Sequence, residues 1–298
     1  MSKTIVFFGS GPVAAESLRL LNNDFIIEAV ITKPQPLHHK QPFPVLQLAQ
    51  ELELRTFTAS TRQELSKLFQ QQDIRSELGV IIDHGIIISH DVIERFPLGI
   101  VNSHFSLLPR WRGADPISFS ILNGDSETGV SLMVIADKLD EGDLLTQRRI
   151  PIAPNATTPS ITTELISLSH QVLVETLPLY IEGNVHPYPQ PEEVPTYSHK
   201  LSKTDGIIDW HKPALQLERE VRAYLGWPRS RAQLGSTDVV ITSAHVDSGS
   251  GPVGTLLIEN HQLGVYCGED VLMIDKLIPL GKKEMPAHSF LNGYRSKL

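Results

Sequence analysis

Short apolar runs alternate with stretches of helical period over the first two thirds of the chain. Ile5-Val-Phe-Phe8 is a continuous apolar run ending at a Gly-Ser-Gly turn, and it predicts a first buried strand, followed by a helix over 13–21. Residues 25–31 predict a second strand. Residues 45–53 and 62–72 predict helices, the latter with Leu65, Leu68 and Phe69 at helical spacing. Leu78-Gly-Val-Ile-Ile82 and Leu98-Gly-Ile-Val101 read as further strands. A last long helix starts at Thr158-Pro159, a capping residue followed by proline, and stops at Gly183-Asn184. This alternation implies βαβ units and an α/β class: a mostly parallel sheet with right-handed crossovers over residues 1–187.

The pattern then changes. Residues 188–196, YPQPEEVPT, are proline-rich and polar, and 188–203 is expected to be a linker. Over 204–298 a helix at 215–224 precedes short apolar segments at 238–242, 254–258, 263–266 and 271–274, separated by turn residues. That spacing suits a small β-barrel.

Composition adjusts this picture in two places. Cys267 is the single cysteine, so no internal disulfide forms and a reducing compartment is expected. The first residues hold four apolar side chains in a row, too few for a signal peptide or a membrane span. The expectation is a cytoplasmic protein without a membrane partner. Net charge is −8; residues 204–298 carry 10 basic and 11 acidic side chains, leaving 16 basic and 23 acidic upstream. Neither part is a basic module, so nucleic acid would be held by local patches: Arg110 with Arg112, Arg229 with Arg231, Lys282 with Lys283. Charge alone favours a small-molecule substrate.

Candidate chemistry concentrates in residues 102–143. Asn102 and His104 are expected at the C-terminal end of a buried strand, the edge where open α/β sheets bind ligands. With one residue between them on an extended chain they point the same way, an amide donor and an imidazole converging on one place. Asp140 follows another apolar segment, 130–135; an ionised Asp beside a His fixes its tautomer and tunes it for acid/base work. Between them, Ser106-Leu-Leu-Pro-Arg-Trp-Arg-Gly113 has no helical or strand period, and a loop of that kind is usually kept for binding.

Two other patterns mislead. Gly9-Ser-Gly-Pro-Val-Ala14 fits the dinucleotide fingerprint, but no acidic residue closes the second strand; Gly9 and Gly11 are expected to form a tight turn at the substrate crevice, their amides meeting a phosphate or carbonyl. His38-His39 lacks acidic or thiol company, and the Asp137 to Arg148 stretch has Leu139 and Arg148 where a calcium loop needs oxygen ligands, so no metal is expected.

The chain resembles the folate-dependent formyltransferases. The resemblance rests on Asn102-X-His104, the SLLPRWRGA string from Ser106 to Ala114, and Leu139-Asp-X-Gly-Asp143. It extends through KLSKTDGIIDWHKPA from Lys200 and GKKEMPAHSFLNGYR from Gly281, nearly the whole length. It implies a Rossmann-like catalytic domain and an OB-like substrate-binding barrel, with 10-formyltetrahydrofolate as co-substrate, no metal, and the amine of an initiator methionyl-tRNA as acceptor; the protein is expected to act as a monomer. Asn102, His104 and Asp140 would be catalytic. Ser106, Leu107, Leu108 and Pro109, with Gly85 and Ile86, would line the folate site. Arg110, Arg112, Lys40, Lys282 and Lys283 would meet substrate phosphate. Two departures stand out: the 33–44 loop is shorter and less basic than the family's, and Asp83-His84 replaces the usual Ala-Tyr before Gly85. A sugar-nucleotide N-formyltransferase, or a folate- or tRNA-binding protein without turnover, are the alternative readings.

Overall fold

In a computed structural model, residues 3–35 and 43–298 are described; Lys40 and the His38-His39 pair lie outside them. The chain divides into two compact units. The first takes in the described residues up to Gly113, then Thr128–Ile150 and Thr162–Tyr197.

Its elements run β1 (Thr4–Phe8), α1 (Pro12–Leu21), β2 (Ile26–Thr32), α2 (Pro44–Glu51), β3 (Thr56–Thr58), α3 (Arg62–Gln71), β4 (Gly79–Ile81), α4 (His90–Ile93), β5 (Ile100–His104) and β6 (Arg112–Gly113). After α5 (Pro116–Leu122), which belongs to the second unit, come β7 (Glu127–Val134), β8 (Leu144–Pro151) and the long helix α6 (Thr158–Ile181), whose residues up to Ile161 fall in the second unit. Seven strands form one sheet in the order β3-β2-β1-β4-β5-β7-β8. The pairs from β3 to β5 are parallel, and β7 runs antiparallel to β5. The mostly parallel sheet expected from the alternation is therefore present. Strand order reverses between β1 and β4, so the loops after these two strands flank a crevice at the carboxyl edge.

Continuous apolar strands suit a sheet covered on both faces. In β1, Ile5, Val6, Phe7 and Phe8 are all fully buried. Phe8, Phe69 and Phe96 meet ring to ring at 5.6 to 5.9 Å, tying β1 to α3 and the segment after α4. Helix α2 ends at Glu51, two residues earlier than its pattern suggests. Glu53 takes a positive φ of 54°, and the amides of Glu53 and Leu54 return to the carbonyls of Gln50 and Ala49, a left-handed helix stop.

The second unit holds β9 from its Ser198 end (Tyr197–Ser198), α7 (Ala214–Ala223), β10 (Ser230–Leu234), β11 (Thr237–Asp247), β12 (Leu256–Glu259), β13 (Gln262–Tyr266), β14 (Val271–Pro279), β15 (Met285–Pro286) and α8 (Ala287–Tyr294). Its sheet is antiparallel in the order β10-β11-β14-β13-β12, with β15 on β14, a small barrel-like β unit of the expected kind. Asn260 and His261, both at positive φ, join β12 to β13 in a two-residue hairpin turn. Leu234, Ile241, Leu263, Val265, Val221 and Phe290 form its core.

Candidate functional site

Asn102 and His104 close β5, one residue apart and therefore on one side of the strand. Their neighbours fix the level: Asn102 lies opposite Ile81 of β4, and His104 opposite Ser131 of β7. Asp140 comes from the loop between β7 and β8, its backbone at a positive φ of 53°. Its carboxylate gathers three groups. Oδ2 accepts the amide of Gly113 at 2.7 Å and stands 3.8 Å from His104 Nδ1, while Oδ1 is 3.4 Å from the Asn102 amide nitrogen. The three residues expected to act together are thus brought together. His104 and Asp140 are 7% and 6% exposed, so their interaction takes place largely out of water.

The loop after β5 is built around a hydroxyl. Ser131 Oγ donates to the Ser106 carbonyl at 2.6 Å and accepts the Leu108 amide at 3.0 Å. Gln147 on β8 donates to both the Leu108 carbonyl and Ser131 Oγ at 2.8 Å. Ser106 Oγ donates across the turn to the Arg110 carbonyl at 2.6 Å, and Leu108 packs on Met133 and Leu144. The Leu108-Pro109 bond is cis. Leu107 lies against Gly129, where any side chain would strike it and the Arg148 backbone. Residues 106–109 therefore have a fixed backbone, as a ligand-lining loop requires.

The two arginines of this loop differ. Arg110 is exposed, its guanidinium 4.5 Å from the centre of the Trp111 ring. Arg112 is turned inward: Nη2 donates to Gln190 at 2.7 Å and Nη1 pairs with Glu141 at 3.2 Å. Gln190 then donates to the carbonyls of Asp140 and Gly142 at 2.7 and 2.9 Å. Thr196 holds the Trp111 amide, and β9 pairs with β6. Part of the stretch read as a linker thus holds the site in shape. Three residues here without glycine's freedom, Asp83, Trp111 and Asp140, sit at positive φ, a strain of about 1–3 kcal/mol each that is typical of binding sites.

At the carboxyl ends of β1 and β4, the turn of Gly9 and Gly11 meets the loop that starts at Asp83. Gly9 is hemmed in by Ala14, Phe7 and the Ile82 carbonyl; at Gly11 a Cβ would collide with the Asp83 carboxylate. The Ser10 amide and hydroxyl hold the carbonyls of Asp83 and His84, both at 3.0 Å. Gly85, at φ 68°, faces the Lys33 ammonium, and Ile86 is half-buried. His84 is buried edge-on to Phe8, with neither ring nitrogen hydrogen-bonded among the described residues. Burial, with Lys33 adding to it, pushes its pKa down to about 4. Lys282 and Lys283 are exposed in the second unit after β14.

Sequence reasoning missed Ser131, Gln147, Gln190, the Trp111 carbonyl and the Gly113 amide. Ser131 carried a signal, a polar residue inside the apolar segment 130–135, whereas Gln147 lies in a stretch without a clear strand pattern. Gln190 and the backbone groups carried none.

The geometry has counterparts among known proteins. A formyl transferase family model matches residues 3–177, and a formyl transferase C-terminal domain model matches residues 200–295. The methionyl-tRNA formyltransferase of Roseiflexus castenholzii is 40% identical over 304 residues, covering 99% of this chain and 97% of that protein. The methionyl-tRNA formyltransferase of Myxococcus xanthus is 37% identical, covering 98% and 95%. Among solved structures, an N-formyltransferase from Helicobacter canadensis in complex with folinic acid and dTDP-3-aminofucose superposes with a TM-score of 0.69 at 17% identity, covering 96% of this chain and 100% of that one.

Proposed function

The chain belongs to the formyl transferase family, and on that premise we propose that it transfers the formyl group of 10-formyltetrahydrofolate to the amino group of initiator methionyl-tRNA, the first amine of translation. Identity of 34 to 40% over nearly the full length to proteins named for that activity supports the acceptor. The single observation that carries the chemistry is the Asp140 carboxylate, drawn to Gly113, His104 and Asn102 at once.

Formyl transfer is acyl transfer. The amine nitrogen attacks the formyl carbon, an oxyanion forms, the carbon–N10 bond breaks, and the proton lost by the amine ends on N10. Asn102 donates a hydrogen bond to the formyl oxygen as charge builds, a contact worth about 100-fold to 1000-fold in rate for such donors. His104 Nε2 lies 2.9 Å from the Trp111 carbonyl, which can only accept, so Nε2 carries hydrogen and the exchangeable position is Nδ1, facing Asp140. Asp140 takes the amine's proton directly or through water and hands it to His104 Nδ1, which then stabilises the oxyanion and passes that proton to the leaving nitrogen. No side-chain nucleophile or metal enters these steps.

Residues 106–109, Gly85 and Ile86 line the folate. Arg110, Lys282 and Lys283 meet phosphate, with Lys40 on the short loop; Arg112, engaged with Glu141 and Gln190, shapes the loop instead. Gly9 and Gly11 form the crevice turn. The assignment keeps 1–187 as catalytic and 204–298 as substrate-binding, in a cytoplasmic monomer. Purified protein given 10-formyltetrahydrofolate, with methionyl-initiator tRNA and amino-sugar nucleotides in parallel, tests it: formylated tRNA is expected, and product from a sugar nucleotide alone would replace the acceptor while keeping the chemistry.

A further inference from the structure

The second unit contains a cavity of about 720 Å³ bounded by the segment before α7, strand β10 and the end of β14, well within the size of small-molecule sites. Its lining is of two kinds. Ile207, Trp210, Ile278 and Leu280 make an apolar floor, with Ile207 59% and Leu280 78% exposed. Arg229, Arg231 and Lys282 stand around it against one acid, Asp238. In a chain of net charge −8, three cations to one carboxylate is a local reversal. Arg231 donates through Nη2 to the Lys203 carbonyl, yet its buried Nε has no hydrogen-bond partner among the described residues. A buried donor left in that state is uncommon and marks a place where an acceptor would be held.

We propose that this cavity seats one unstacked nucleotide of an RNA strand, its base on the apolar floor beside Trp210 and its phosphates on Arg229, Arg231 and Lys282. The proposal rests on the reading of the acceptor as a tRNA and adds how an acidic protein holds it. Cations alone would suit any duplex backbone, and an apolar floor alone would suit a lipid chain. Their combination matches a splayed-out nucleotide, which offers a flat apolar face and a phosphate a few bonds apart. Paired bases have no face free to enter a concave site, so the nucleotide comes from a loop, a bulge or the single-stranded end.

Two exposed positions separate floor from rim. Full-length Ile207→Ser and Arg229→Gln are assayed with 10-formyltetrahydrofolate and methionyl-initiator tRNA across a range of salt, thermal melting serving as the check on folding. Each is expected to raise KM for the tRNA about tenfold at unchanged kcat, the size of one lost base contact. Arg229→Gln lowers the slope of log KM against log salt by about 1, whereas Ile207→Ser leaves that slope as in the parent; Ile207→Leu restores KM. Unchanged KM in Ile207→Ser, or an equal loss of salt slope in both variants, overturns the pocket. Should the parent formylate no tRNA, the acceptor reading fails on its own, and binding of a single-stranded oligoribonucleotide decides the cavity. Tighter binding than to a duplex of equal length, weakened by Ile207→Ser, upholds it, and equal binding overturns it.

Discussion

His104 and Trp111 share a hydrogen bond of 2.9 Å in which the imidazole Nε2 can only donate, because its partner is a backbone carbonyl. One tautomer of the neutral ring is thereby selected, and Nδ1 is left to face Asp140 at 3.8 Å. Replacing His104 by Asn, which keeps one donor for Trp111 but supplies no exchangeable nitrogen, is expected to lower kcat by a factor of about 100 or more while leaving KM for folate nearly unchanged. Steady-state kinetics with circular dichroism on the same sample checks it.

Asn102→Ala and Asp140→Ala are each expected to lose about 100-fold to 1000-fold in kcat. Because both groups are proposed to act on one reacting centre, the double variant should lose far less than the product of the two. Single-turnover formylation measures this, and near-parental turnover in either single variant would remove that residue from the mechanism.

Gln190 acts on the carboxylate through the backbone, holding the carbonyls of Asp140 and Gly142 while receiving Arg112. It is a positioning residue. Gln190→Ala should reduce kcat roughly tenfold and cost about 1–3 kcal/mol of stability, because buried groups lose their partners; Gln190→Glu, able to receive Arg112 but not to donate to the carbonyls, should recover stability only in part. Urea melts set beside kcat distinguish the two effects.

His84 carries a pH dependence of known sign. Unfolded, it takes up a proton near pH 6.5; folded, it does so only at about 4, because burial opposes the charge. Between these values the unfolded chain binds more protons, so this contribution to stability is complete above about 6.5 and falls as pH drops to about 4. The total loss is about 3 kcal/mol. His84→Phe should flatten that part of the profile, as read by urea unfolding at both ends of the window.

Gly11 lies against the Asp83 carboxylate. A Cβ at Gly11 would meet the far end of that exposed side chain, which can turn aside, so Gly11→Ala should cost no more than about 0.5 kcal/mol. Adding Asp83→Gly should return most of it, since the backbone at Gly11, with φ of −84°, tolerates any side chain. Thermal melts of the four proteins in this cycle give the coupling directly.

Much of this was legible from residue order. Strand β1, helices α1, α3 and α6, and the placement of Asn102 and His104 at a strand end follow from apolar period and turn residues, because burial on a pleated or helical surface leaves its period in the sequence. Helix α5, PISFSIL, was not anticipated, since two buried serines, Ser118 and Ser120, blur its apolar stripe. Strand β10, SRAQL, buries only its two ends. The site divides in the same way. Side chains with chemistry announce themselves, whereas a carbonyl, an amide or a glutamine 50 residues from Asp140 leaves no local trace.

The pairing of β6 with β9, together with the bonds from Gln190 and Thr196, bears on how such proteins can be recombined. The matched family segments end at 177 and resume at 200, which invites a chimera joined anywhere between. A crossover upstream of Gln190 would import a foreign clasp for Asp140 and a foreign partner for the Trp111 amide, whereas one after Ser198 carries both with the segments they hold. A chimera that keeps the Asp140 clasp and the Trp111 partner with their own sheet is therefore one spliced at 198–200.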